Sequence, residues 1–134
     1  MSTLEAILRE QIDGEAKLFQ VADADLHHAV AAASDAVGRI KEGASLQLIV
    51  QQEDISGIMY QLKLFSGRDS IAVLGSFRVP PSGYPVLYSG DGSFNPPGKI
   101  ASAKELDQFF EMLARNPDSQ LVRHLTFLVR KRVS

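Results

Sequence analysis

Three histidines are the side chains of this 134-residue chain that titrate near neutral pH, and His27 and His28 are adjacent. Neighbouring residues on a helix point about 100° apart, whereas a chelating pair needs a spacing of three or four residues. We therefore expect no metal site at this pair. His124 lies in a helical pattern next to Arg123 and could act as a general base, but the sequence indicates no partner for it. A small enzyme built on His124 is our third hypothesis.

The residues of the common nucleophilic sites are missing or wrongly placed. The chain has no cysteine, which excludes disulfides, thiolate nucleophiles and cysteine-ligated metals. It has no Gly-x-Ser-x-Gly sequence, and Ser76 falls inside a predicted strand. The paired carboxylates Asp23 and Asp25 lie where a helix begins, so capping accounts for them. We expect no cofactor, and the sequence favours a non-enzymatic protein.

The longest segment without regular pattern, residues 89–101, is the first candidate for a contact surface. Its Gly90-Asp91-Gly92-Ser93 sequence lacks the lysine of a phosphate-binding loop and the acidic spacing of a calcium loop, so it indicates a tight turn. Loops this long in compact domains are often functional. We predict a protein-binding site here, formed by Tyr84, Tyr88, Asp91 and Phe94.

Charge is distributed unevenly although the net charge is only −2. Residues 1–67 carry 5 basic and 10 acidic side chains, whereas residues 68–134 carry 9 and 6. A nucleic-acid-associated protein is therefore the alternative function, with a basic C-terminal helix that presents Arg123, Arg130, Lys131 and Arg132. Cations at a helix C-terminus also oppose the helix dipole, which is the simpler explanation.

Helical patterns occupy the first third of the chain. Ser2 and Glu5 form a capping box, and an apolar stripe then predicts a first helix to about Asp13, where Asp13-Gly14 is a natural break. Residues 15–21 fit either a helix or a strand. Asp23 or Asp25 caps a predicted second helix that ends before Gly43, and its alanines at 29 and 31–33 permit close approach of another element.

The middle of the chain changes to the period of two that is typical of strands. Three strands beginning near Ser45, Ile58 and Ile71 are joined by short turns, which favours an antiparallel meander. A fourth strand is predicted from Tyr84 to Ser89. Two C-terminal helices follow, the first capped by Ser102 and ended by Asn116. Asn116 can also cap the second helix, with Pro117 at its first helical position.

The order of elements resembles a known family. An N-terminal helical region, an antiparallel meander, Tyr84-Pro85 with the later Pro96-Pro97, and two final helices resemble ubiquitin-conjugating and RWD-type domains. The prolines follow Tyr84-Pro85 at a larger spacing than in that family. The conjugating enzymes use a catalytic cysteine that this chain lacks, so the resemblance implies a binding domain.

We therefore predict one α+β domain over residues 1–134, with a central antiparallel meander of three or four strands, two helices before it and a helix pair after it. The predicted strand core is Leu46, Leu48, Val50, Tyr60, Leu62, Val73 and Phe77. The predicted helical core is Leu26, Val30, Val37, Leu106, Phe110, Leu113 and Leu125.

The other sheet face also carries apolar side chains, namely Ile49, Met59, Phe65, Ala72 and Leu74. We expect a second cover on it, either the terminal helix pair or another copy of the protein. No apolar run approaches the length of a membrane span, and the N-terminus does not resemble a signal peptide. We predict a cytoplasmic protein-interaction or regulatory module whose partner is another protein or a second copy.

Overall fold

The computed structural model of the chain describes residues 2–90 and 98–131. In that part of the chain, one long helix precedes an antiparallel sheet with strand order β1-β2-β3-β4-β5, and two helices follow. The elements are α1 (Thr3–Ile40), β1 (Ala44–Asp54), β2 (Gly57–Ser66), β3 (Asp69–Val79), β4 (Val86–Ser89), β5 (Lys99–Ile100), α2 (Ala103–Arg115) and α3 (Gln120–Lys131). The predicted α+β class with an antiparallel meander is confirmed.

The two predicted N-terminal helices are one continuous helix of 38 residues, so the predicted break at Asp13-Gly14 is wrong. Residues 15–21 are helical. A single glycine inside a helix costs only about 1 kcal/mol relative to alanine, which the helix-forming residues on both sides outweigh. Ser2 caps α1 as predicted, because its hydroxyl accepts a hydrogen bond from the Glu5 amide at 3.1 Å.

Three smaller boundaries also differ from the sequence prediction. Strand β4 begins at Val86, after the predicted start at Tyr84, and the predicted loop of residues 89–101 ends in β5. Helix α3 begins after Ser119, whose hydroxyl accepts from the Val122 amide at 3.3 Å. Asn116 is the C-cap of α2 instead of the cap of α3. The Ser119 hydroxyl also donates to the Leu113 carbonyl at 2.8 Å, which ties the two helices together.

All three helices lie on one face of the sheet. Tyr60 pairs with Phe77 across β2 and β3; the Tyr60 hydroxyl bonds to α1, and the Phe77 ring packs on Phe109 of α2. Helix α3 lines the same groove as α1 and α2. The terminal helix pair therefore does not cover the other sheet face, contrary to one of the two covers expected there.

Most of the predicted core residues are buried. Val50 and Val73 are exposed instead, and each lies beside a register shift in the sheet. The shift after Leu62 in the β2–β3 pairing places Val73 opposite Lys63 on the outer face, while Leu74 is buried. Another shift follows Val50, which is exposed near the end of β1. A bulge changes the alternation of side chains along a strand, which a strict period of two does not anticipate.

None of the described helices combines the length and apolar composition needed to cross a bilayer.

A substitution at Gly14 tests the continuity of α1. The Cβ of Gly14→Ala would meet no atom within 4 Å, so we expect this variant to stabilise the surrounding helix by about 0.5–1 kcal/mol. The 13Cα chemical shifts of residues 8–18 should move toward full helical values. Unchanged shifts that show a break at residues 13 and 14 would contradict the continuous helix.

Candidate functional site

An apolar groove lies between the three helices. It encloses about 1100 Å³ and is open to solvent along one side. Large apolar side chains remain exposed at its rim, including Ile40 of α1 at 59% and Val129 of α3 at 42%. The lining comprises Ala29, Ala32, Ala33, Ala36, Val37, Ile40, Asp107, Phe110, Glu111, Ala114, Leu121, Val122, Leu125, Thr126, Val129 and Arg130.

Small side chains on α1 create this groove. Ala29, Ala32, Ala33 and Ala36 follow a spacing of three, one and three residues, so they lie on one side of the helix. Helix α2 contacts both α1 and α3, while α3 rests on β3. The alanines leave space between α1 and α3 that larger side chains would fill.

Polar groups are confined to a few positions in the groove lining. Helix α2 contributes Asp107 and Glu111, and α3 contributes Thr126 and Arg130. Among the described residues, every buried side-chain nitrogen or oxygen has a hydrogen-bond partner. These four polar side chains of the groove lining are exposed, and the rest of the lining is apolar.

The N-terminal half of α1 carries an apolar stripe that none of the described residues covers. Leu4, Ile7, Leu8 and Ile12 are 50–65% exposed, and Leu18 is 54% exposed. We call the face formed by these five residues the α1 stripe. Residues 2–18 are all exposed, so this half of the helix extends beyond the folded body.

The α1 stripe continues the buried face of the same helix. Eighteen residues make about five helical turns, so residues at that spacing point in the same direction. Leu8 is related in this way to Leu26, which is fully buried. The same holds for Leu4 with Ala22 and for Ile12 with Val30.

Two tyrosines fasten α1 to the sheet side of the molecule. The Tyr60 hydroxyl donates to Asp23 at 2.6 Å, and the Tyr84 hydroxyl donates to Asp25 at 2.7 Å. Residues two apart on a helix point about 200° apart, so the two tyrosines hold α1 from opposite sides. The sequence analysis assigned these aspartates to a helix cap, whereas the structure places them in the middle of α1.

His27 joins the first of these contacts. Its Nε2 lies 3.2 Å from the Tyr60 hydroxyl and 3.7 Å from Asp23, and its ring packs edge-on against the Tyr60 ring. Burial, together with the hydrogen bond to Asp23, raises the pKa of Tyr60 above its usual value of 10. A phenol with a raised pKa stays protonated at neutral pH, so the Tyr60 hydroxyl remains a donor in the contact that joins β2 to α1.

The other histidines form no ion pair with a carboxylate of the described residues. His124 Nε2 lies 3.1 Å from the side-chain oxygen of Gln120 on the same helix, and no carboxylate within ion-pair distance of it is seen in the described residues. His28 is exposed. Across residues 2–90 and 98–131, no three acidic or histidine side chains converge in a way that could hold a metal ion.

The predicted contact loop is only partly within the described residues. Tyr88 is a packing residue: its hydroxyl donates to the Leu74 carbonyl at 2.8 Å and its ring lies 4.5 Å from the Phe109 ring. The Tyr84 hydroxyl is bound to Asp25. Asp91 and Phe94 lie outside the described residues, so a partner-binding role for this segment stays a prediction.

The basic residues of α3 have different neighbours in the described part of the chain. Arg123 lies 3.5 Å from Asp118, and Arg130 lies over the Phe127 ring while also lining the groove. Lys131 is exposed at the end of α3, and Arg132 lies outside the described residues. The nucleic-acid alternative stays a prediction.

No protein-family model, curated protein or solved structure matches this chain. The resemblance to ubiquitin-conjugating and RWD-type domains therefore stays a prediction from the order of elements, and Pro96-Pro97 lie outside the described residues.

The sequence analysis did not identify the groove as a site. The signal was present in the alanines of α1, which indicated close approach of another element, but the walls contributed by α2 and α3 depend on tertiary packing.

Removing either tyrosine hydroxyl tests the anchoring of α1. We expect Tyr60→Phe and Tyr84→Phe each to lower the free energy of unfolding at pH 7 by about 1 kcal/mol, because a partly exposed carboxylate loses its donor. Burial also raises the pKa of Tyr84. Since both folded-state pKa values exceed the unfolded value, this stability is complete below pH 10 and is lost as the pH rises further.

Urea denaturation of the wild type and both variants, repeated from pH 7 to pH 11, measures these effects. The difference between each variant and the wild type should shrink above pH 10. A difference that is absent at pH 7, or that grows with pH, would contradict the proposed hydrogen bonds.

Proposed function

We propose that this chain is a non-enzymatic protein-interaction module that holds an amphipathic α-helix in the groove between α1, α2 and α3. The groove itself carries the proposal, because it is apolar and open and leaves large side chains such as Ile40 and Val129 exposed. Exposed apolar patches of this kind are typical of interaction sites. A groove between helices suits the recognition mode in which an amphipathic helix lays its apolar face into a cleft.

The dimensions of the groove favour a helix over a small molecule. Its α1 wall runs from Ala29 to Ile40, which corresponds to about 17 Å at 1.5 Å per residue. That is the length of about three helical turns. Small-molecule sites usually combine apolar walls with a few convergent polar groups, whereas the polar side chains of this groove are spread over α2 and α3.

The polar clusters described above support a non-enzymatic function. Tyr60 and Tyr84 donate to carboxylates and are held neutral, so they fasten α1 instead of activating a substrate. His124 is paired with an amide oxygen on its own helix. The proposal includes the cytoplasmic location expected from the sequence.

A pair of arginine substitutions tests the groove. Ala36 and Ala31 are both exposed residues of α1, but Ala36 lines the groove and Ala31 does not. Both sites accept arginine at little cost in helix propensity. Because the long side chain of Ala36→Arg would fill the groove, we expect it to weaken helix binding at least tenfold, about 1.4 kcal/mol. Ala31→Arg should change the affinity less than about twofold.

The probe is a fluorescein-labelled synthetic helix of about four turns with leucine along one face and Lys and Glu elsewhere. Fluorescence anisotropy measures its binding to the full chain carrying Leu8→Glu and Ile12→Glu, so that the α1 stripe of the protein itself cannot compete. No saturable binding, or equal binding by the Ala36→Arg and Ala31→Arg forms, would overturn the proposal.

A further inference from the structure

We infer that the helix held in the groove is the N-terminal half of α1 from a second copy of this chain, and that two copies exchange these helices reciprocally. The inference rests on the proposed function and names the partner of the same site. It joins the two unpartnered apolar surfaces of the described chain, the α1 stripe and the groove.

The lengths of the two surfaces match. The α1 stripe extends from Leu4 to Leu18, which corresponds to about 21 Å along the helix axis. The groove wall from Ala29 to Ile40 extends about 17 Å by the same measure. About three turns of the stripe therefore fit along the groove.

The side-chain sizes are also complementary. The large apolar residues of the stripe are leucine and isoleucine, with Gln11 and Glu15 on the same side of the helix, whereas the α1 wall of the groove consists largely of alanine. Large side chains on one helix pack well against small ones on another, because the two backbones can approach closely and the cavity is filled. Two stripes facing each other would instead place large side chains against large ones.

In a reciprocal exchange, the contact between stripe and groove forms twice in each dimer. In a twofold-symmetric dimer, each copy contributes its stripe to the partner and receives the partner's stripe in its own groove. The stripe and the groove of both copies are then covered. The assembly is thus a closed dimer and not a filament.

Sedimentation velocity on the full chain over a roughly hundredfold range of concentration tests the inference. We expect the wild type to form a dimer. The stripe variant, Leu8→Glu with Ile12→Glu, should lose self-association at least tenfold, since two carboxylates would enter the apolar groove. The groove variant Ala36→Arg should show a similar loss, because its side chain occupies the space that the stripe needs.

Matched controls separate these effects from charge and folding. Ala6→Glu with Ala16→Glu adds the same charge on the polar side of the exposed helix and should leave the dimer intact. Ala31→Arg should also leave it intact. All the substituted side chains are exposed, and far-UV circular dichroism verifies that each variant folds.

Mixing the two variants gives the sharpest result. The stripe variant retains an intact groove and the groove variant retains an intact stripe, so an equimolar mixture should form a heterodimer through one remaining contact. A mixture that stays monomeric would overturn the reciprocal exchange. Wild-type-like dimerisation of Ala36→Arg would overturn it as well, since it would indicate stripe-to-stripe pairing or a contact through the outer sheet face.

The result also separates this inference from the proposed function. A wild type that is monomeric throughout, with a groove that still binds the synthetic helix, would overturn the second-copy inference and leave the proposed function standing. A monomeric wild type whose groove binds no helix would overturn both.

Discussion

The apolar face of α1 is the constraint on which the rest of the molecule depends. It runs along one side of the helix from Leu4 to Val37, but only its C-terminal part is buried on the body of the protein. Tyr60 and Tyr84 fix that part through Asp23 and Asp25. Because a helix is rigid, anchoring one half determines where the other half extends, and its apolar face there is exposed among residues 2–90 and 98–131.

The same helix also forms one wall of the groove. Its buried residues, such as Leu26, hold α1 against the sheet, while Ala32 and Ala36 leave room beside it. Small side chains at these positions make fewer packing contacts within one chain, so apolar surface remains available to another helix. Helix α1 thus carries the α1 stripe in its N-terminal half and forms one wall of the groove in its C-terminal half.

The sequence predicted the elements better than it predicted their partners. The period-two pattern and short turns defined the meander, and Ser2 and Ser102 defined two helix starts. The Asp13-Gly14 dipeptide predicted a helix break that is not present, because the helix propensity of the residues on both sides outweighs the cost of one glycine. Asp23 and Asp25 were mistaken for caps because their tyrosine partners lie more than thirty residues away. The groove could not be derived, since its walls come from three helices whose packing is tertiary.

Amide hydrogen exchange of residues 4–18, followed as a function of protein concentration, tests the central claim most directly. The account predicts weak protection in dilute protein, where an exposed helix opens readily, and protection that rises with concentration as these residues enter a partner's groove. The groove-lining face of α3 should gain protection over the same range. Exchange at residues 4–18 that is equally fast at every concentration would contradict the account.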